Sequence, residues 1–235
     1  MLIVEKKEFL KGTVMILSFI VVLFLMFSPI FKGGNALTSA DNLFNSISKG
    51  STYYIPDLMK KSERFQGTLF ESRVAVKDPS LGTKGEKLLA GSGIEVRPGP
   101  NELELKGALG SLLAAAIKDA DAMFKNQGQE VAQRYGFPER EVLFTWWSLL
   151  KGLDKDLQRQ KKFEEASFVS DVVKKGIELS YNYYTIEPEK ASANMGILTF
   201  SLIFYVAYTL WWGLGIFYLF EGIGLKMKAG ARKEV

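Results

Sequence analysis

Two carboxylate pairs, Asp119 with Asp121 and Asp154 with Asp156, come nearest to a catalytic or metal-binding spacing in this chain of 235 residues. Side chains two apart on a helix diverge by roughly 200°, so neither pair can converge on one proton or cation. Asp121 is better matched with Lys125, and Asp171 with Lys175, as i,i+4 surface pairs, and the acids read as solvated helix faces. The chain has no histidine and no cysteine. It therefore lacks the usual general base, the commonest zinc and haem ligand, any thiol nucleophile and any iron–sulfur site. Proton or metal chemistry would have to rest on carboxylates, lysine and tyrosine. These residues point to no catalytic, cofactor-binding or metal-ligating set.

Two other patterns invite chemistry and have plainer readings. Gly82-Thr83-Lys84-Gly85, followed by Gly91-Ser92-Gly93, has the composition of a phosphate loop but not Walker A spacing, and reads as a turn between strands, with one or two helical turns over residues 84–90 closed by Gly91. Trp146-Trp147 lies in a helical stretch. Trp146 shares a stripe with Leu143, Leu150, Leu153 and Leu157 and should be core. Trp147 lies about 100° further round, at the core edge or against a partner.

The elements that would carry these residues are bracketed by two apolar belts. Residues 12–31 are fenced by Lys11 and Lys32, and residues 195–220 by Lys190 and Glu221. Each is uncharged over about 20 residues, the length of helix needed to cross a bilayer. The first belt reads as a retained span rather than a cleaved signal peptide, because no small-x-small site follows it. Lys6, Lys7 and Lys11 precede the first belt, and Lys226, Lys228, Arg232 and Lys233 follow the second. The positive-inside rule then puts tails 1–11 and 221–235 in the cytoplasm and residues 32–194 outside. For a bacterial inner membrane that outer domain is periplasmic. Basic residues are scattered among acids at a net charge of +4, which leaves no nucleic-acid footprint.

Within the outer domain, Ser39 could cap a short helix after a flexible exit at residues 32–35, and Pro56 opens a second. Residues 68–77 and the pair 94–97 and 102–106 alternate as strands, with Pro98-Gly99-Pro100-Asn101 as the hairpin turn. From Gly107 the apolar period becomes helical. It predicts a helix to about residue 128, a long one from Pro138, and a third from Phe163 through Tyr181 and Tyr184, broken by Pro188. The expected fold is an α+β membrane protein. Two transmembrane helices flank a mainly helical domain of three long amphipathic helices with a small antiparallel sheet.

The second belt differs from a plain anchor. Tyr205, Tyr208, Trp211 and Trp212 lie deep within it, although such rings favour the headgroup level, and Gly213 and Gly215 let another helix come close. These six residues are the expected partner-contact surface. The layout resembles that of polysaccharide chain-length regulators and the input halves of bacterial sensors, a likeness of arrangement and not of motif. Three functions follow as expectations: a non-catalytic accessory or scaffold subunit of an envelope assembly, an extracytoplasmic ligand or lipid sensor acting through a partner, and a carboxylate-based envelope enzyme. The first carries expected partners, namely other membrane subunits or further copies of the chain, besides the lipid bilayer.

Overall fold

The computed structural model describes residues 3–30, 34–76 and 78–225. Lys32 and Gly33 of the expected exit, Phe31 at the end of the first belt, and the basic tail at 226–235 lie outside the described residues. The chain divides into two compact units. One is drawn from its two ends, up to Ile47 and from Glu189 onward, and the other is Ser48–Pro188.

The end-derived unit is built on two apolar helices, α1 (Lys6–Phe27) and, last in the chain, α10 (Met195–Gly222). Both are long and apolar enough to cross a membrane. Helix α1 starts and stops earlier than the apolar belt suggests. Ser28 precedes Pro29 and takes an extended backbone (φ −72°, ψ 145°), since the proline ring disfavours a helical residue before it. The two helices run antiparallel against one another. Near one end the Val4 and Glu5 N–H groups donate to the Gly222 carbonyl at 2.9 and 3.0 Å. Contact is backbone-close at glycines. A Cβ on Gly12 would lie 2.6 Å from the Leu219 nitrogen, and one on Gly222 would lie 2.6 Å from Phe9 Cα.

Helix α2 (Ala36–Ser51) starts three residues before the expected Ser39 cap. Asn35 sits just ahead of its first turn, its Oδ1 accepting the Thr38 N–H at 2.9 Å. Helix α3 (Ile55–Ser62) follows, with Pro56 in its first turn.

The central unit is mainly helical with one three-stranded antiparallel sheet. Strands β1 (Leu69–Ala75), β2 (Glu95–Pro98) and β3 (Glu102–Ala108) lie in the order β1-β3-β2. Pairing Val74 with Leu103 and Val96 with Leu105 puts the alternating apolar residues on one face. Phe70, Val74, Leu103 and Leu105 are buried there. Between β1 and β2 stands α4 (Pro79–Leu89), which contains the helical turns expected from Lys84 and starts five residues earlier, through the stretch expected as a turn. Asp78 caps it by accepting from the Ser80 N–H and O–H at 2.9 Å, and Pro79 takes the first position. Gly82 and Gly85 thus lie within a helix. Gly85 lets α4 settle on the sheet, since a Cβ there would meet Leu103 Cδ1 at 3.2 Å.

The core is completed by α5 (Leu109–Phe124), α6 (Gly128–Tyr135), α7 (Glu139–Arg159) and α8 (Phe163–Asp171). Leu112, Ile117, Met123, Leu143, Trp146, Leu153, Val169 and Ile177 are fully or almost fully buried. The expected third long helix is not uniform. After α8 the chain runs as a π-helix over Val172–Glu178 before returning to α-geometry in α9 (Leu179–Tyr183). Apolar spacing does not separate i→i+5 from i→i+4 bonding, which is why the sequence reads as one helix.

Candidate functional site

Helix α7 presents Arg140, Phe144, Trp147 and Lys151 on one face, at helical spacings of four, three and four. Opposite stand Ile177 and Glu178 at the end of the π-helix, then Tyr181 and Asn182 in α9. Together they enclose a cleft of about 360 Å³ lined by Leu143, Phe144, Trp147, Ile177, Glu178, Tyr181 and Asn182. Leu143 and Ile177 form a buried apolar floor, while Phe144 remains 53 % exposed and Tyr181 37 %. That combination of size, apolar lining and a few polar groups is typical of small-ligand sites.

The polar groups of the cleft are fixed unequally. Glu178 Oε1 accepts the Trp147 indole N–H at 2.8 Å and lies 3.7 Å from Lys151 Nζ. Phe144 and Trp147 lie nearly parallel, 18° apart with centroids at 5.9 Å. Beyond the lining residues, the Arg140 guanidinium lies over the Tyr181 and Tyr184 rings at 5.2 and 5.3 Å and reaches the Tyr181 carbonyl at 3.5 Å. No carboxylate pairs with Arg140 among the described residues. Trp147 thus lines a cleft, while Trp146, one residue before, is fully buried. That split is the one its helical position predicts.

The acids singled out by spacing have separate fates. Asp121 accepts from Lys125 Nζ and from Tyr53 Oη, both at 2.7 Å. Asp171 pairs with Lys175 at 2.9 Å. Asp154 accepts from Gln158, and Asp156 takes both the Arg73 N–H and the Gln160 amide. Asp119 departs from the expected solvated face: it is 0 % exposed. It accepts from Trp146 Nε1 at 2.8 Å and Tyr135 Oη at 2.7 Å, and it pairs with Arg134. One buried carboxylate therefore joins α5, α6 and α7. Burial pushes its pKa above the usual aspartate value against the opposing pull of Tyr135, Trp146 and Arg134, and burial likewise raises that of Tyr135. Sequence spacing could not show this, because all three partners are at least 15 residues away.

A second buried ion closes the unit on itself. Lys49, in the last turn of α2, is 1 % exposed. Its ammonium donates to Asn126 Oδ1 at 2.9 Å, the Tyr183 carbonyl at 3.0 Å and the Ile186 carbonyl at 2.6 Å, which satisfies all three donors. Asn126 and Thr185 both have φ in the left-handed region (61° and 73°), and the Thr185 N–H donates to Asn126 Oδ1. Burial draws the Lys49 pKa below the ordinary lysine value, and Glu187 opposes it.

In the apolar unit, the six residues expected at a partner surface divide. Gly215 is buried, and a Cβ on it would lie 2.7 Å from Ile16 Cδ1. Trp211 donates its indole N–H to the Met15 carbonyl at 3.0 Å. The Phe19 ring meets Trp212, Trp211 and Tyr208 at 4.9, 5.9 and 6.2 Å. These four thus lie against α1 of the same chain. Tyr205 is exposed, and nothing lies within 4 Å of a Cβ built on Gly213. Among the described residues no group of three acidic, histidine or cysteine side chains stands where it could hold a metal ion. No protein-family model, curated protein or solved structure matches the chain.

Proposed function

We propose that this chain is a non-catalytic, membrane-anchored accessory subunit of a bacterial envelope assembly that works by binding through the cleft between α7 and α9. In this reading α1 and α10 span the inner membrane, both termini are cytoplasmic, and Ser48–Pro188 is presented on the periplasmic side. The observation that carries the reading is the cleft itself. It pairs an apolar floor with exposed aromatic rings, and large exposed rings beside polar groups mark binding surfaces. The absence of histidine and cysteine supports a binding role over catalysis.

Tyr205 and Gly213 remain available on α10 for a neighbouring helix, while Gly215 and Trp211 are engaged by α1. Purification in mild detergent followed by native mass spectrometry tests the subunit reading. Other membrane proteins or further copies should accompany the chain, and Phe144→Glu should reduce their recovery. A strictly monomeric, partner-free particle from native membranes counts against it. A second reading, capture of a small ligand relayed by a partner, is favoured by the ligand-sized volume of the same cleft.

A further inference from the structure

The uneven charge of the cleft narrows what it can hold. Its apolar part, Leu143, Ile177, Phe144 and Trp147, suits a hydrocarbon or ring body. At one end the single lining carboxylate, Glu178, is already held by Trp147 Nε1 and Lys151. A ligand cation gains little there, because Lys151 already stands over the Trp147 ring at 5.7 Å and Arg140 over Tyr181 at 5.2 Å. Next to the lining Tyr181, and beyond the lining itself, Arg140 has a planar fork laid on two tyrosine rings and no carboxylate partner among the described residues. A guanidinium in that state is suited to carboxylate or phosphate oxygens, which match its paired N–H groups. The nearby acid on α7, Glu139, is engaged with Tyr184.

We infer that the cleft binds a single-chain amphiphilic anion, its apolar body on Phe144, Trp147 and the Leu143–Ile177 floor and its carboxylate or phosphate head on Arg140. The inference rests on the proposed binding role of the cleft and names its ligand class. Orientation follows from the charges: the head lies toward Arg140 and Tyr181, and the tail passes Trp147 toward the Glu178 end. Asn182, next in sequence to Tyr181, adds a further polar group to the lining.

The test uses the full chain in lipid nanodiscs with its four tryptophans replaced by 5-fluorotryptophan. The Trp147 resonance is assigned with Trp147→Phe, and Trp211 and Trp212 report any partition into the bilayer. Decanoate, decyl phosphate, decyltrimethylammonium and decanol are titrated separately below their aggregation concentrations. The expected result is a saturable shift of Trp147 with the two anions alone. Decanoate against decyl phosphate shows which head is preferred. Arg140→Gln should raise the concentration needed by about tenfold, the loss of one charge-assisted pair. Arg140→Lys, which keeps the charge and loses the fork, should fall between. Arg140 is exposed, so neither variant disturbs the core.

An equal response to decyltrimethylammonium, or an unchanged titration in Arg140→Gln, overturns the anion assignment while leaving a binding cleft in place. A Trp147 signal unmoved by all four compounds overturns the amphiphile altogether. Recovery of partners with Phe144→Glu separately decides whether the cleft holds them. A chain that loses its partners in that variant but ignores every amphiphile retains the accessory role and not this ligand.

Discussion

Asp119 is the residue whose removal should cost most for the fewest atoms changed. Its carboxylate is the common acceptor for Trp146, Tyr135 and Arg134, so Asp119→Ala leaves a fully buried indole N–H without a partner. A buried donor left unsatisfied costs about 1–3 kcal/mol, and loss of the ionic partner adds to it. Denaturant unfolding of the full chain should register a loss of about 3 kcal/mol; a change below about 1 kcal/mol would show that the node is not structural. The same residue gives a signed pH effect. Its folded pKa is raised above the unfolded value by burial, so the folded state holds the proton longer. Stability from this group is greatest below the unfolded pKa, about 4. It falls as pH rises to the raised folded value and is level above it. Wild type should therefore lose stability relative to Asp119→Asn across that window in paired melting curves, and parallel curves would remove the effect.

At the scale of elements, the apolar helix pair makes a steric prediction. A Cβ on Gly12 would fall 2.6 Å from the Leu219 nitrogen, where the obstacle is backbone and cannot swing aside. Gly12→Leu should separate α1 from α10 at a cost of about 1–3 kcal/mol, the usual range for overpacking. Gly213→Leu, with nothing within 4 Å, should leave the pair intact. Disulfide trapping between cysteines at Ile16 and Gly215 reads the difference, and equal trapping in both variants would contradict it. Gly12 and Gly215 show what periodicity leaves illegible. Both lie in apolar belts, but only the fold reveals that they face one another. The stripes of α5 and α7 and the β2–β3 hairpin were legible because each repeats a period over several residues and buries what it predicts. The second half of α4, from Lys84, was legible, but its start was obscured by Gly82 and Gly85, although Asp78-Pro79-Ser80 carried a start signal. The cleft was half legible. The position of Trp147 follows from helical geometry, whereas its partners Glu178 and Tyr181 are set by a π-helix that leaves no distinct mark on the sequence.

For the whole molecule, the proposed topology places the two ends of the chain on one side of the membrane and Ser48–Pro188 on the other. The chain has no cysteine, so single cysteines at Ser80 and Ala231 report on one site each. In spheroplasts an impermeant maleimide should label Ser80→Cys, and Ala231→Cys only after permeabilisation. Labelling of both in intact spheroplasts overturns the orientation. The core that would be displayed is tied at its sheet edge as well. Asp156 accepts the Arg73 N–H of β1, and Gln160 donates to the Glu71 carbonyl, so side chains in the last turn of α7 and just after it occupy groups that another strand could pair with.

The Lys49 clasp has a mechanical consequence. The chain enters the central unit at Ser48 and leaves it at Pro188, and Lys49 binds the carbonyls of Tyr183 and Ile186 near that exit. Tension drawing the entry and exit strands apart falls first on one ammonium and its three acceptors, before it reaches the leucine-rich interior. In single-molecule pulling from those two ends, Lys49→Met should abolish the first rupture and leave the main unfolding force unchanged. The domain then behaves as a buckled strap, with a release set by one side chain and a strength set by its core.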